Sequence, residues 1–164
     1  MEGRAANAGT GGVGFAKVTV GDAAQCEQRL SAAIARRAEE IARHRGASAG
    51  DAAEDRRLAE KDIVRPFCGG ILESKEGFTV SLCRSSFAPE EIEVCAEPRR
   101  LIVIEMKKTP AEASERPTVF RVLPLHRECD PSSLAIHRRG SIFELELHNP
   151  PVSKEQRYAA RGKP

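Results

Sequence analysis

Thiols, imidazoles and carboxylates are the side chains of this chain that could do chemistry, and their spacing argues against most of it. The thiols are Cys26, Cys68, Cys83, Cys95 and Cys129; the imidazoles are His44, His126, His137 and His148. A structural zinc takes such ligands in closely spaced pairs. No CxxC occurs, and His126 with Cys129, just past Leu123-Pro124, lacks a second pair, so neither a metal site nor a cofactor is expected. An odd, scattered set of cysteines is not the framework of a secreted disulfide protein, and a reducing compartment would keep them as thiols. With Leu82 and Val94 facing inward, Cys83 and Cys95 fall on the solvent side of their strands. Exposed, inert thiols are the expectation there, with an oxidisable or intermolecular disulfide as the alternative.

Catalysis needs a nucleophile or an acid/base pair with a second group that shifts its pKa. There is no GxSxG elbow, no HExxH and no phosphate-cradling GxxxxGKS/T loop, and Glu90, Glu91, Glu144 and Glu146 read as solvated turn and strand positions. The expectation is a non-enzyme that acts without ATP. Recognition through apolar surface is what remains.

The elements that would carry such a surface follow from periodicity. Phe78, Val80 and Leu82 alternate with Thr79, Ser81 and Cys83, and after Phe87-Ala88-Pro89-Glu90-Glu91 the pattern resumes at Ile92 and Val94. A period of two predicts strands with one buried face. Leu101-Ile102-Val103-Ile104 is too short for a helix and rich in β-branched residues, so it is a strand that is apolar on both faces. A two-layer sandwich buries only one of those faces, which leaves Ile102, Ile104 and Met106 for the preceding helices, another subunit or unfolded protein. Ile71-Leu72, Val119 to Leu123, Leu134 to Ile136 and Ile142 to Leu147 complete the strands; Ser141 after Gly140 leaves the last register open by one residue.

Upstream, Asp22 is placed to cap a helix running to about His44, with Leu30, Ile34, Ala38 and Ile41 on one stripe and Gly46 as its stop. A second helix is predicted from Asp51 to Val64, before Pro66, on a thin stripe of Ala52, Leu58, Ala59 and Ile63. Such narrow faces hold each other weakly, so the pair needs a sandwich or a partner. The chain thus divides into a glycine-rich flexible arm (1–21) whose Phe15, Val18 and Val20 alternate, a helical pair (22–65), a sandwich (66–148) and a flexible basic tail (149–164).

At 164 residues and net charge +2, one ordinary domain with appendages is expected, and no nucleic-acid partner. No apolar run exceeds the length of Leu101–Ile104, where a membrane span needs about 20 residues. With no membrane partner and no signal-peptide core near Met1, a cytoplasmic location is the expectation.

Taken in order, Gly77-Phe78-Thr79-Val80-Ser81-Leu82, Phe87-Ala88-Pro89-Glu90-Glu91-Ile92-Glu93-Val94, Arg100-Leu101-Ile102-Val103, Phe120-Arg121-Val122-Leu123-Pro124 and Asp130-Pro131 to Leu134 closely resemble the α-crystallin domain of small heat-shock proteins. Ala38, Gly46, Gly50-Asp51-Ala52, Glu54-Asp55 and Leu58-Ala59-Glu60 resemble a short two-helix module of bacterial proteins, departing from it at Glu39 and Arg56, where that module carries aromatics. The first resemblance implies a mainly β fold, an antiparallel immunoglobulin-like β-sandwich preceded by the helical pair, and a stress-response chaperone that holds partly unfolded clients. It also implies a groove bordered by Ile92 and Val94 on one strand and Leu134 and Ile136 on another. Those four side chains, read from alternation alone, are equally compatible with core. With Phe15 of the arm and Ile102 and Ile104 of the two-faced strand, they are the candidate client-binding residues. In bacterial relatives a swapped strand makes a homodimer and a tail tripeptide of two aliphatics builds larger shells. Here the segment from Lys107 to Pro117 is short and polar, and Val152 stands alone in the tail, so large shells are not expected. The alternative reading is an adaptor whose sandwich binds one folded protein partner.

Overall fold

The computed structural model describes residues 16–46, 50–83, 87–109 and 115–151. Its centre is a seven-residue strand, β6 (Arg100–Met106), apolar on both sides. Leu101 and Val103 point one way, into a core made with Ile92, Val94 and Ala96 of β5 (Glu91–Glu97), Phe78, Val80 and Leu82 of β4 (Gly77–Leu82), and Leu145 and Leu147 of β9 (Ile142–His148). Ile102, Ile104 and Met106 point the other way, into a second core with Cys95, with Phe120 of β7 (Thr118–Pro124), and with two helices. Each of these aliphatics is worth about 1.5–3 kcal/mol when taken out of water, so neither face of β6 can be left wet.

Two sheets meet that demand. One runs β1-β5-β6-β7-β2, where β1 is Lys17–Val20 and β2 is Val64–Arg65; the other runs β3-β4-β9-β8, with β3 Gly69–Glu73 and β8 Ala135–Arg139. Pairing within β5-β6-β7 and throughout the second sheet is antiparallel, as the sequence predicts. The register left open by Ser141 is settled by a two-residue turn at Gly140 (φ 62°) and Ser141: Arg139 faces Ile142, so Ile142 points outward and Phe143 inward. The short edge strands depart from the antiparallel expectation. β1 pairs with β5 and β2 with β7 in parallel. β1 and β2 lie at opposite edges of this sheet, and the helical pair that joins them straps its outer face from one edge to the other.

Capping and patterning explain the helices. The Asp22 carboxylate accepts the Gln25 amide at 2.9 Å to start α1 (Ala23–Arg45), and Gly46 ends it at a positive φ (75°) that favours glycine. Asp51 likewise accepts from Ala53 to start α2 (Ala52–Ile63). Cys26, Leu30, Ala33 and Ile34 of α1 and Ala59 of α2 are buried on the sheet side, while Leu58 stays exposed. Arg45 pairs with Asp55 and Arg37 with Asp62 (2.8 Å), tying the helices together. Across the layer, Arg29 meets Glu93 at 2.5 Å and Arg100 meets Glu27. Partly exposed pairs of this kind contribute about 0–1 kcal/mol each.

A covalent tie adds to them. Cys26 of α1 and Cys95 of β5 form a disulfide, their Cα atoms 6.5 Å apart and 69 residues apart in sequence. By loop-closure entropy a link over such a span contributes about 4 kcal/mol. On the other face of β6, Glu105 is 4% exposed and takes a forked pair of hydrogen bonds from Arg121 (3.0 and 3.2 Å), whose third nitrogen donates to the Pro66 carbonyl at 2.6 Å. Removing one partner of such a pair leaves a buried charge uncompensated. Glu105→Ala is therefore expected to lower stability by about 3–5 kcal/mol in urea unfolding, and a loss below about 1 kcal/mol would show that the pair is solvated.

Candidate functional site

Of the seven residues singled out by sequence, Phe15 lies outside the described residues, and the other six sit in two places. Ile92 and Val94 line the inter-sheet core at the open edge of β5; Leu134 and Ile136, half-buried, pack against the same core from the β8 side. All four belong to the core between the sheets, and the β1 strand packs beside them. Val18 sits opposite Ile92 and Val20 opposite Val94 in the β1–β5 register, and Ala16 and Val18 pack into the core beside them. The strand is held by the Lys17 amide donating to the Glu90 carbonyl (2.8 Å) and the Gly21 amide donating to the Val94 carbonyl (2.9 Å). At Gly21 the backbone passes so close to β5 that a Cβ would lie 2.3 Å from the Glu93 carboxylate and 2.7 Å from the Cys95 sulfur. Only glycine allows that approach.

Ile102 and Ile104 occupy the second place, both 0% exposed. Of the three environments open to them from sequence, the structure selects the helices: Leu30, Ala33, Ile34 and Ala59 cover them. Two apolar surfaces of the sandwich, one at its edge and one on its outer face, are thus both occupied by the segment from Ala16 to Arg65. Exposed large apolar side chains among the described residues are Val20, Leu58, Ile71, Leu72 and Ile142. They are scattered, which is ordinary for a protein surface. Leu72, at 69%, stands with Ile71 on the edge strand β3.

Cysteine chemistry is where sequence reasoning erred. Cys83 is exposed as expected, but Cys95, though on the outer face of its strand, lies under α1 and is bonded to Cys26. The signal was available: Cys26, Leu30 and Ile34 fall at i, i+4 and i+8, so the apolar stripe of α1 begins one turn earlier than Leu30. His126 and Cys129 have separate partners. His126 pairs with Glu73 and meets the Phe78 ring edge-on at 5.8 Å, whereas the Cys129 thiol donates to the Glu97 carbonyl at 3.4 Å. Burial pushes the Cys129 thiol above its ordinary pKa, which keeps it protonated and unreactive near neutrality. The donor atoms of Cys26, Glu93 and Cys95 lie within 4.8 Å of one another, but two are spent in the disulfide and Glu93 is taken by Arg29. A cleft of about 590 Å³ between α1, the end of α2 and β7 is lined by Arg29, Arg36, Arg65 and Arg116. Arg29, Arg36 and Arg116 are paired with Glu93, Glu115 and Glu91 respectively. No helix among the described residues is long and apolar enough to cross a membrane.

Compared by sequence with known proteins, the chain matches no family model and no curated relative. Its likeness is to solved structures. Those structures are small heat-shock proteins and α-crystallin domains. The hspA of Xanthomonas axonopodis is 15% identical with a TM-score of 0.41, over 54% of this chain and 98% of that one. HSP18.5 of E. histolytica is 10% identical (TM-score 0.38, covering 56% and 94%), and the rat α-crystallin domain is 15% identical (TM-score 0.35, covering 50% and 90%).

Because Val18 is the side chain of the four-residue edge strand β1 that packs into the core, Val18→Asp is expected to unseat the strand. Hydrogen exchange of the Lys17–Gly21 amides and tryptic cleavage after Lys17 should both speed up while β4 and β9 keep their protection. Unchanged protection of that segment would show that β1 is held by something other than this side chain.

Proposed function

We propose that this chain is an ATP-independent holdase of the small heat-shock type, which captures partly unfolded proteins on apolar surfaces that its own leading segments otherwise cover. One observation carries the reading: the core residues Ile92, Val94, Leu134 and Ile136 and the outer face of β6 are covered by short appendages, β1 and the helices, as well as by the body of the sandwich. An extended apolar segment of a client would take the place of β1, adding its backbone to the β5 edge and its side chains to the core beside Ile92, Val94, Leu134 and Ile136. Displacement of the helical strap would offer Ile102 and Ile104 in the same way. At about 25 cal/mol per Å² of apolar area, many weak contacts of this kind sum to a holding affinity without nucleotide hydrolysis. Capture and release would then be set by competition between client and cover.

A second reading, an adaptor for one folded protein, has its own support in β3, an edge strand among the described residues on which Ile71 and Leu72 are exposed. A discrete partner could add a strand there while both covers stay in place.

The two readings part in one experiment. Purified protein at a near-equimolar ratio and without ATP is expected to suppress heat-induced light scattering of several unrelated clients, and Val18→Asp, with the β5 edge uncovered, to do so at a lower ratio. Failure of both proteins with every client would remove the holdase reading and leave the adaptor.

A further inference from the structure

We propose that the Cys26–Cys95 disulfide is a redox latch: oxidised, it keeps the helical strap on the first sheet; reduced by a dithiol, it lets α1 lift from Ile102, Ile104, Met106 and Phe120. The proposal gives the holdase reading its regulation, and the client-facing half of it rests on that reading. Position is the first argument. Among the described residues this bond is the covalent tie between cover and sandwich, and it joins the first turns of α1 to β5, the strand that also carries β1. Both covers meet there, since Gly21 passes against Cys95 on its way from β1 into α1.

The second argument is how little else holds the strap. Of the 23 residues of α1, only Cys26, Leu30, Ala33 and Ile34 are buried, and α2 adds Ala59 and the carboxylate of Asp55, which is turned to Arg45 on α1. The ion pairs from strap to sheet, Arg29 to Glu93 and Arg100 to Glu27, are partly solvated. Beside the apolar contacts, the disulfide is therefore the part of the strap's hold on the sheet that a change of electrons can remove.

The chemistry balances as thiol–disulfide exchange. A thiolate of the dithiol attacks one sulfur of the pair, the bond between Cys26 and Cys95 breaks, and a mixed disulfide forms. The second thiol of the reductant displaces it, leaving Cys26 and Cys95 as two thiols and the reductant as its own disulfide. Both sulfurs are fully buried, so the attack requires α1 to fray at its first turns, where helix ends open most readily. The face then uncovered carries Ile102, Ile104, Met106 and Phe120, now matched by an amphipathic helix. It therefore suits apolar segments of partly unfolded protein.

The test uses the full chain with Cys68→Ser, Cys83→Ser and Cys129→Ala, so that one pair remains. Cys68 and Cys83 must go because they face each other across β3 and β4, where the Cys83 amide donates to the Cys68 carbonyl at 3.2 Å. Without reductant, the protein should resist alkylation and be lighter by two hydrogens. With dithiothreitol, the α1 amides should exchange at least about 10-fold faster and an apolar dye should bind, while β4 and β9 are unchanged. Cys26→Ser with Cys95→Ser should match the reduced state under either condition. Free alkylation of both cysteines in the unreduced protein, or equal α1 exchange with and without the bond, would overturn the latch. These readouts involve no client: a reduced protein that opens yet protects no client supports the latch and defeats the holdase reading. A protein that protects clients equally in both states, with α1 unmoved, does the reverse.

Discussion

A strand that is apolar on both faces cannot lie at the surface of a two-layer protein. β6 is such a strand, and the rest of the architecture answers it. One face is satisfied by the second sheet, which supplies Phe78, Val80, Leu82, Leu145 and Leu147. The other face needs a third layer, and the chain provides one from the residues that precede the sandwich. The helices have apolar stripes too narrow to stand alone, and they acquire stability from the same contact that relieves β6. Each side of this arrangement is incomplete without the other.

The third layer is also what turns a sandwich into a candidate switch. Its path is pinned at both ends by parallel strands, β1 on β5 and β2 on β7, so the strap lies across the sheet and not beside it. At the β1 end Ala16 and Val18 pack against the core between the sheets. The pins are short, four residues and two, and parallel pairing is slightly weaker per residue than antiparallel. A body held by long antiparallel ladders thus carries a cover held by short ones, one disulfide and a few aliphatic side chains. This difference in strength gives separate meaning to folding and to opening.

Charge plays the supporting part. Glu105 and Arg121 are buried together inside the sandwich, joined by a forked pair of hydrogen bonds whose loss would leave a buried charge uncompensated. The pairs between strap and sheet are wetter and orient the cover more than they hold it.

Local pattern was enough for much of this. The period of two located the strands from Gly77 to Leu147, the cap residues Asp22, Gly46 and Asp51 set the helix ends within a residue, and the double-faced run at Leu101–Ile104 announced that something must cover it. Alternation fixes which side chains share a face, because successive residues of a strand point in opposite directions. It does not say what lies opposite that face. Whether Ile92, Val94, Leu134 and Ile136 were groove or core, and whether Ile102 and Ile104 met helix, subunit or client, depended on contacts between residues far apart in the chain. So did the bond between Cys26 and Cys95, invisible to spacing because its geometry exists only once α1 lies on β5. Sequence by itself determined the elements and their apolar faces, through periodicity and capping within a few residues. Tertiary structure alone decided which faces the chain keeps for itself, because that choice is made by packing across separations that no local pattern records.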